Sequence, residues 1–151
     1  MKRREAREYT IKLIYELGVQ SEKSAEELIE HTAEAQEFAP DKYIKRTVKG
    51  VLEHKEEIDA LIAECAVNWN FSRLSATSLA IMRLAAYEML FSEDVPFSIA
   101  INEAVELAKK YDHDKAPKFI NGVLNTIAVK KGLKGEAKAA EPAEADGEKS
   151  E

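Results

Sequence analysis

Over residues 1–131 this chain holds almost nothing that would break a helix. The only glycines and prolines there are Gly18, Gly50, Gly122, Pro40, Pro96 and Pro117. Apolar residues recur at helical spacing nearly throughout. The one Asn-Gly pair, Asn121-Gly122, sits inside a helix-period pattern and joins no alternating runs, so no β-hairpin is signalled. The expectation is an all-α chain of six or seven helices. At 151 residues it is long enough for one domain with a proper core.

The punctuation sets the boundaries. The first helix is predicted over about 4–17, ending at Gly18, which reaches left-handed φ cheaply as a cap. Ser24-Ala25-Glu26-Glu27 reads as a capping box opening a helix over 25–38. A third helix follows Pro40-Asp41 toward Val67, with a break near His54. Asn68-Trp69-Asn70-Phe71 is a connector to a helix over 75–91. Asp94-Val95-Pro96 introduces one over 97–111, and the last runs from Asp114–Pro117 to about Lys131. The 75–91 segment is apolar on all sides, with Arg83 and Glu88 the only charges after Ser78. Such a helix belongs at the centre of a globule, with the others packed around it.

Charge is unevenly distributed. The formal net charge is −6. Residues 134–151 hold six acids and three lysines with no large apolar residue, so they are expected to be a disordered acidic tail on a 1–133 domain. Residues 1–12 run the other way, with Lys2, Arg3, Arg4, Arg7 and Lys12 against Glu5 and Glu8. The body is polarised, basic at its N-terminus. The opening residues lack the apolar run of a secretion signal, and no stretch approaches the ~18 apolar residues of a membrane span. A single cysteine, Cys65, allows no internal disulfide and fits the cytoplasm, the expected location. Its helical spacing with Leu61 and Ile62 reads as a small buried hydrophobe.

Enzyme motifs are missing. There is no Gly-x-Gly-x-x-Gly, no Gly-Lys-Ser/Thr phosphate loop and no His-Glu-x-x-His. Leu28, Val51 and Lys110 stand three residues before His31, His54 and His113, so the Glu-x-x-His spacing of di-iron bundles is missing too. No catalytic residue, metal or cofactor is expected.

Two helices break their own pattern. In the first, Ala6, Thr10, Leu13 and Leu17 form one stripe, while Arg4, Ile11 and Tyr15 point almost opposite and Arg7 lies to one side. Arginine with an outward aromatic suits RNA, through phosphate neutralisation and base stacking. Alternatively, a second layer of helices covers Ile11 and Tyr15. In the last helix, Ile120, Val123, Leu124, Ile127 and Ala128 make the core stripe. Lys118 points away from it and Phe119 sits at its edge, beside Pro117 and a helix N-terminus that favours anions. Phe119 either stacks on RNA or caps the core.

Residues 94–111, DVPFSIAINEAVELAKKY, followed by Lys118-Phe-Ile-Asn-Gly-Val-Leu124, resemble the NusB family of bacterial antitermination factors. Arg3-Arg4-Glu5-Ala6-Arg7-Glu8, Leu13-Ile-Tyr15 and Ile81-Met-Arg-Leu-Ala-Ala-Tyr-Glu88 extend the likeness over about residues 2–131. The resemblance implies two packed helical subdomains and no catalysis. It implies binding to boxA RNA of ribosomal RNA leaders together with the ribosomal protein NusE, within an antitermination complex with RNA polymerase, and a part in ribosome assembly. Carried over by position, the RNA contacts are Arg3, Arg4, Arg7, Tyr15, Lys118 and Phe119. Glu5 interrupts the arginine run. Ser78 stands where relatives commonly carry an acid that contacts RNA or NusE, Leu79 where a basic residue often follows, and Lys115 where some members carry an acid. Asn102 and Glu103 are expected to bond internally, with Arg83 a partner for Glu103. Two other readings stand beside this one. Family members sometimes pair as homodimers. Some RNA cytosine methyltransferases carry a NusB-like domain, but they need a catalytic extension that the segment after Leu133 does not supply.

Overall fold

The computed structural model describes residues 1–19, 24–66 and 74–134, and among these it is helical with no strand. Seven helices follow in order: α1 (Arg3–Val19), α2 (Ala25–Gln36), α3 (Lys42–Glu53), α4 (Lys55–Cys65), α5 (Ala76–Phe91), α6 (Phe97–Tyr111) and α7 (Ala116–Lys130). Their starts are written in short polar side chains. Ser24 Oγ accepts from Glu27 N at 3.1 Å while Glu27 Oε1 accepts from Ser24 N at 3.2 Å, completing the capping box. Asp41 caps the Ile44 amide at 2.9 Å, and Ser75 caps that of Ser78 at 3.0 Å. The long third segment does break at His54, which ends α3 and begins α4. Its ring stacks on Phe91 of α5, with centroids 3.8 Å apart. The 68–71 connector and residues 135–151 of the acidic tail lie outside the described residues.

Two apolar cores form. The larger joins α4, α5, α6 and α7 with Val51 of α3, and the smaller joins α2 and the rest of α3. α1 serves both. Ile11 and Ile14 enter the larger core, and Ala6 and Leu13 the smaller. α5 is the central element, buried without interruption from Ala80 to Met89 and touching α1, α3, α4, α6 and α7. Packing it so closely requires Gly50 on α3. A Cβ there would stand 2.2 Å from Cε1 of the Tyr87 ring, so only glycine lets the two helices meet at this crossing.

Three local expectations change. α1 does not stop at Gly18 but runs to Val19. Gly18 stays helical, and a Cβ there would lie 3.3 Å from Arg83 Nη1, so its smallness makes room for a side chain of α5. Arg83 does not pair with Glu103. Its Nε and Nη2 donate to the two carboxylate oxygens of Asp59 on α4, at 2.7 and 2.9 Å. Asn102 is exposed, so of the Asn102-Glu103 pair only Glu103 turns inward.

Candidate nucleic-acid interface

The basic N-terminus is built around an ionic cluster. Glu88 of α5 is 1% exposed. It accepts from Arg7 Nε at 3.1 and 3.2 Å and from the Tyr43 hydroxyl at 2.6 Å. Glu103 of α6 accepts from Arg4 Nε and Nη2 at 3.1 and 2.7 Å, and its Oε1 lies 3.6 Å from Arg7 Nη1. The Arg3 guanidinium lies 4.3 Å from the centroid of the Tyr43 ring. One tyrosine therefore links a surface arginine through its face to a buried carboxylate through its hydroxyl.

Protonation follows from this arrangement. Burial alone would lower the Arg7 pKa, but hydrogen bonding and charge attraction from Glu88 overcome it and leave it raised. Burial, then the charge of Glu88, pushes the Tyr43 phenol far above its ordinary value, so it stays a donor. The hydrogen bond from Arg4 holds the Glu103 carboxyl below its ordinary value of 4.5, against the opposing effect of burial. A carboxyl depressed on folding contributes stability above its unfolded pKa, and that contribution is lost as pH falls through the lower folded value. Acidification from about pH 6 to about pH 3 should lower the thermal midpoint. Glu103→Gln should show a shallower acid dependence than the parent. Parallel profiles for the two proteins would show that the Arg4–Glu103 pair carries none of it.

Each residue expected at an RNA contact has a definite place. Arg3 and Arg4 are exposed. Arg7 is a correction. It is 5% exposed, and its guanidinium is committed to Glu88 and Glu103, so it faces the interior and not a phosphate. The two outward residues of α1 separate: Ile11 is covered by the larger core, while Tyr15 remains 43% exposed. Lys118 is exposed in the first turn of α7, after Pro117. Phe119 is half-buried against the rim of the larger core. The structure thus gathers the three arginines about one cluster and sets Tyr15 further along α1. Lys118 and Phe119 stand at the start of α7, just beyond the end of α6.

Two further positions that the resemblance singled out differ in their surroundings. Ser78 is 2% exposed, and its hydroxyl donates to Asp112 Oδ2 at 2.5 Å, tying the start of α5 to the end of α6. Lys115 is exposed at the N-cap of α7 and makes no side-chain cap.

Sequence reasoning missed Tyr43, Glu88, Glu8 and Tyr111. Glu88 had a signal, as one of two charges on an otherwise apolar helix. Tyr43 had none. Tyr111 donates to Glu8 Oε1 at 2.7 Å while Lys110 Nζ donates to Glu8 Oε2 at 2.9 Å. Among the described residues no group of three or more His, Cys, Asp or Glu side chains could hold a metal ion. No described helix is long and apolar enough to cross a membrane. Cys65 is buried, and burial pushes its thiol pKa up, away from the reactive thiolate.

Comparison with known proteins adds an independent line. The NusB family model matches residues 4–129. The transcription antitermination protein NusB of Bacillus subtilis is 43% identical over 127 residues, covering 84% of this chain and 95% of that protein. Its counterpart in Acetivibrio thermocellus is 46% identical over 129 residues, covering 84% and 88%. Among solved structures, T. maritima NusB superimposes with a TM-score of 0.77 at 31% identity, covering 89% of this chain and 98% of that one. A chain from the crystal structure of antitermination factors NusB and NusE in complex with dsRNA superimposes with a TM-score of 0.75 at 27% identity, covering 85% and 96%.

Proposed function

The chain belongs to the NusB family, and from that premise we propose that it is a transcription antitermination factor that binds boxA-type RNA of ribosomal RNA leaders together with NusE. It works in the cytoplasm within an antitermination complex with RNA polymerase, supports ribosome assembly, and catalyses no reaction. The observation that carries this reading is the match to a chain solved with both NusE and RNA, over 96% of that chain's length. A methyltransferase reading gains no support, because the relatives that this chain nearly spans are antitermination proteins.

The RNA face we propose comprises Arg3, Arg4, Tyr15, Lys118 and Phe119, with Arg7 holding α1 in place beneath it. Arg3, Arg4 and Lys118 meet phosphates, and the two rings meet unpaired bases. The 1–133 body is the binding unit, and the acidic segment 134–151 is a tail outside it.

Three phosphate contacts on a single strand give a slope of log affinity against log salt of about −2. Binding by this chain alone should therefore be weak and salt-sensitive. NusE adds surface and, by linkage, itself binds the RNA-loaded protein more tightly. The test is a titration of labelled boxA RNA, as a single strand and as a duplex, at two salt concentrations with and without NusE. The single strand should bind more tightly with NusE and at low salt. Equal affinity with and without NusE at both salt concentrations would overturn the reading.

A further inference from the structure

The outward face of α3 is a stripe of cations. Lys42, Lys45, Arg46 and Lys49 follow i, i+3, i+4, i+7 and are exposed, so they share one side of the helix. Tyr43, Ile44, Thr47 and Val48 are buried on the other side. No acid stands on α3 before Glu53 at its end. The stripe runs about 10 Å along the axis. On a chain of net charge −6, four positive charges over that length reverse the local sign.

The fold makes little use of these charges. Among the described residues only Arg46 and Lys49 of the four enter ion pairs, with Asp94 at 4.0 Å and Glu26 at 3.4 Å. All four partners in those pairs are well exposed, and such pairs contribute little to stability. Either cation can therefore turn to another anion at small cost.

The stripe also continues the basic N-terminus. Arg3 lies over the ring of Tyr43, the residue after Lys42, at 4.3 Å from its centroid. Arg3 and Arg46 both act on the carboxylate of Asp94. Positive potential thus passes from the start of α1 onto α3, with Asp94 at the join.

The chemistry of the face suits a nucleic-acid backbone better than a protein. Lysine is depleted in protein–protein interfaces, whose energy comes from buried aromatic and arginine anchors. The stripe offers no exposed aromatic or aliphatic residue before Leu52. Nucleic-acid interfaces are much more positively charged. With no outward ring the face stacks no base, and lysine meets phosphate as a point charge. Such contacts position a backbone and carry no sequence information.

We propose that the α3 face is a phosphate track for RNA flanking the boxA-type segment, held by Lys42, Lys45, Arg46 and Lys49 whatever its base sequence. The proposal rests on the RNA-binding reading and adds a second, sequence-independent stretch of contact to it.

The full-length protein, with NusE, is titrated with boxA RNA alone and with boxA RNA carrying a single-stranded extension of unrelated sequence on one side or the other. One of the two extended RNAs should bind more tightly than boxA alone. Its slope of log affinity against log salt should be more negative by about 3, at roughly 0.7 for each phosphate met. A different extension sequence should give the same values. Lys42→Gln, Lys45→Gln and Lys49→Gln combined should weaken binding of that RNA by about tenfold at low salt and take about 2 from its slope. The same variant should bind boxA alone like the parent. Lys45→Gln by itself should show about a third of the slope change. A control with Lys130→Gln, Lys131→Gln and Lys134→Gln removes equal charge at the end of α7 and should bind the extended RNA like the parent. Equal losses in the two triple variants would overturn the track and reduce it to net charge. Extended RNA that binds no better than boxA alone, or as well to the α3 variant as to the parent, would overturn it while leaving boxA binding intact. Loss of NusE binding with unchanged RNA affinity would also overturn it, by assigning the stripe to a protein. A parent that binds no boxA RNA would remove the underlying reading and the track together.

Discussion

Replacing Glu88 by alanine is expected to destabilise the fold by about 3–5 kcal/mol, the range for removing one partner of a buried ion pair. Glu88 is 1% exposed and takes bonds from both Arg7 and Tyr43. Without it, the buried Arg7 keeps as a carboxylate partner the more distant Glu103, 3.6 Å away, and the Tyr43 hydroxyl loses its acceptor. An orphaned buried charge is far more costly than the net worth of the pair that held it. Since whole domains are stable by only about 5–15 kcal/mol, the variant should be largely unfolded well below the parent's denaturation midpoint. Urea unfolding followed by circular dichroism reads this directly. The double variant Arg7→Met with Glu88→Leu removes both charges and should recover much of the loss. A loss below about 1 kcal/mol in Glu88→Ala would show that water reaches the cluster and that burial is not what makes it matter.

This cluster marks where the sequence stops being informative. The helices were legible because each signal is local. A capping box spans four residues, and an apolar stripe repeats within one helix. Even the break at His54 lies within one contiguous pattern. The central place of α5 followed from its composition alone. The partners of its charges did not. Arg7 and Glu88 are 81 positions apart, and although Glu88 stands out as a charge on an apolar helix, nothing local names Arg7 as its partner. The position of Arg7 beside the α1 stripe was visible, but what covers that flank is supplied by α5 and α6. Arg83 meets Asp59 and not Glu103 for the same reason, because a helix pattern says which way a side chain points and not what it meets. Gly18 shows the converse. Its chemistry permits a helix end, and the structure uses its size, leaving room for Arg83.

The outward residues of α1 show the same limit at closer range. Ile11 and Tyr15 are one helical turn apart and face the same way, yet one is covered and the other stands 43% exposed. Periodicity could identify both as off the main stripe. It could not show that the second layer of helices reaches the first and leaves the second exposed. For Phe119 the two readings meet in one residue, half-buried at the core's rim with the remainder turned outward.

That difference in burial makes the test of the two rings discriminating. If Tyr15 and Phe119 each stack on an unpaired base, alanine at either position removes about 1–3 kcal/mol of binding, roughly fivefold to over a hundredfold in affinity. Stacks on separate bases make no contact with each other, so the double variant should lose approximately the sum. Stability should respond differently. Tyr15→Ala should unfold close to the parent, because its ring adds little to either core. Phe119→Ala should lose part of the roughly 3–5 kcal/mol that full burial of a phenylalanine carries, since its ring is only half-buried. Unfolding free energy and affinity for boxA RNA are measured on the same preparations, with affinity expressed per folded molecule. Weakened binding in both variants, with Tyr15→Ala nearly as stable as the parent, supports stacking at both positions. Unchanged affinity per folded molecule would return both rings to packing roles and leave the interface to Arg3, Arg4 and Lys118.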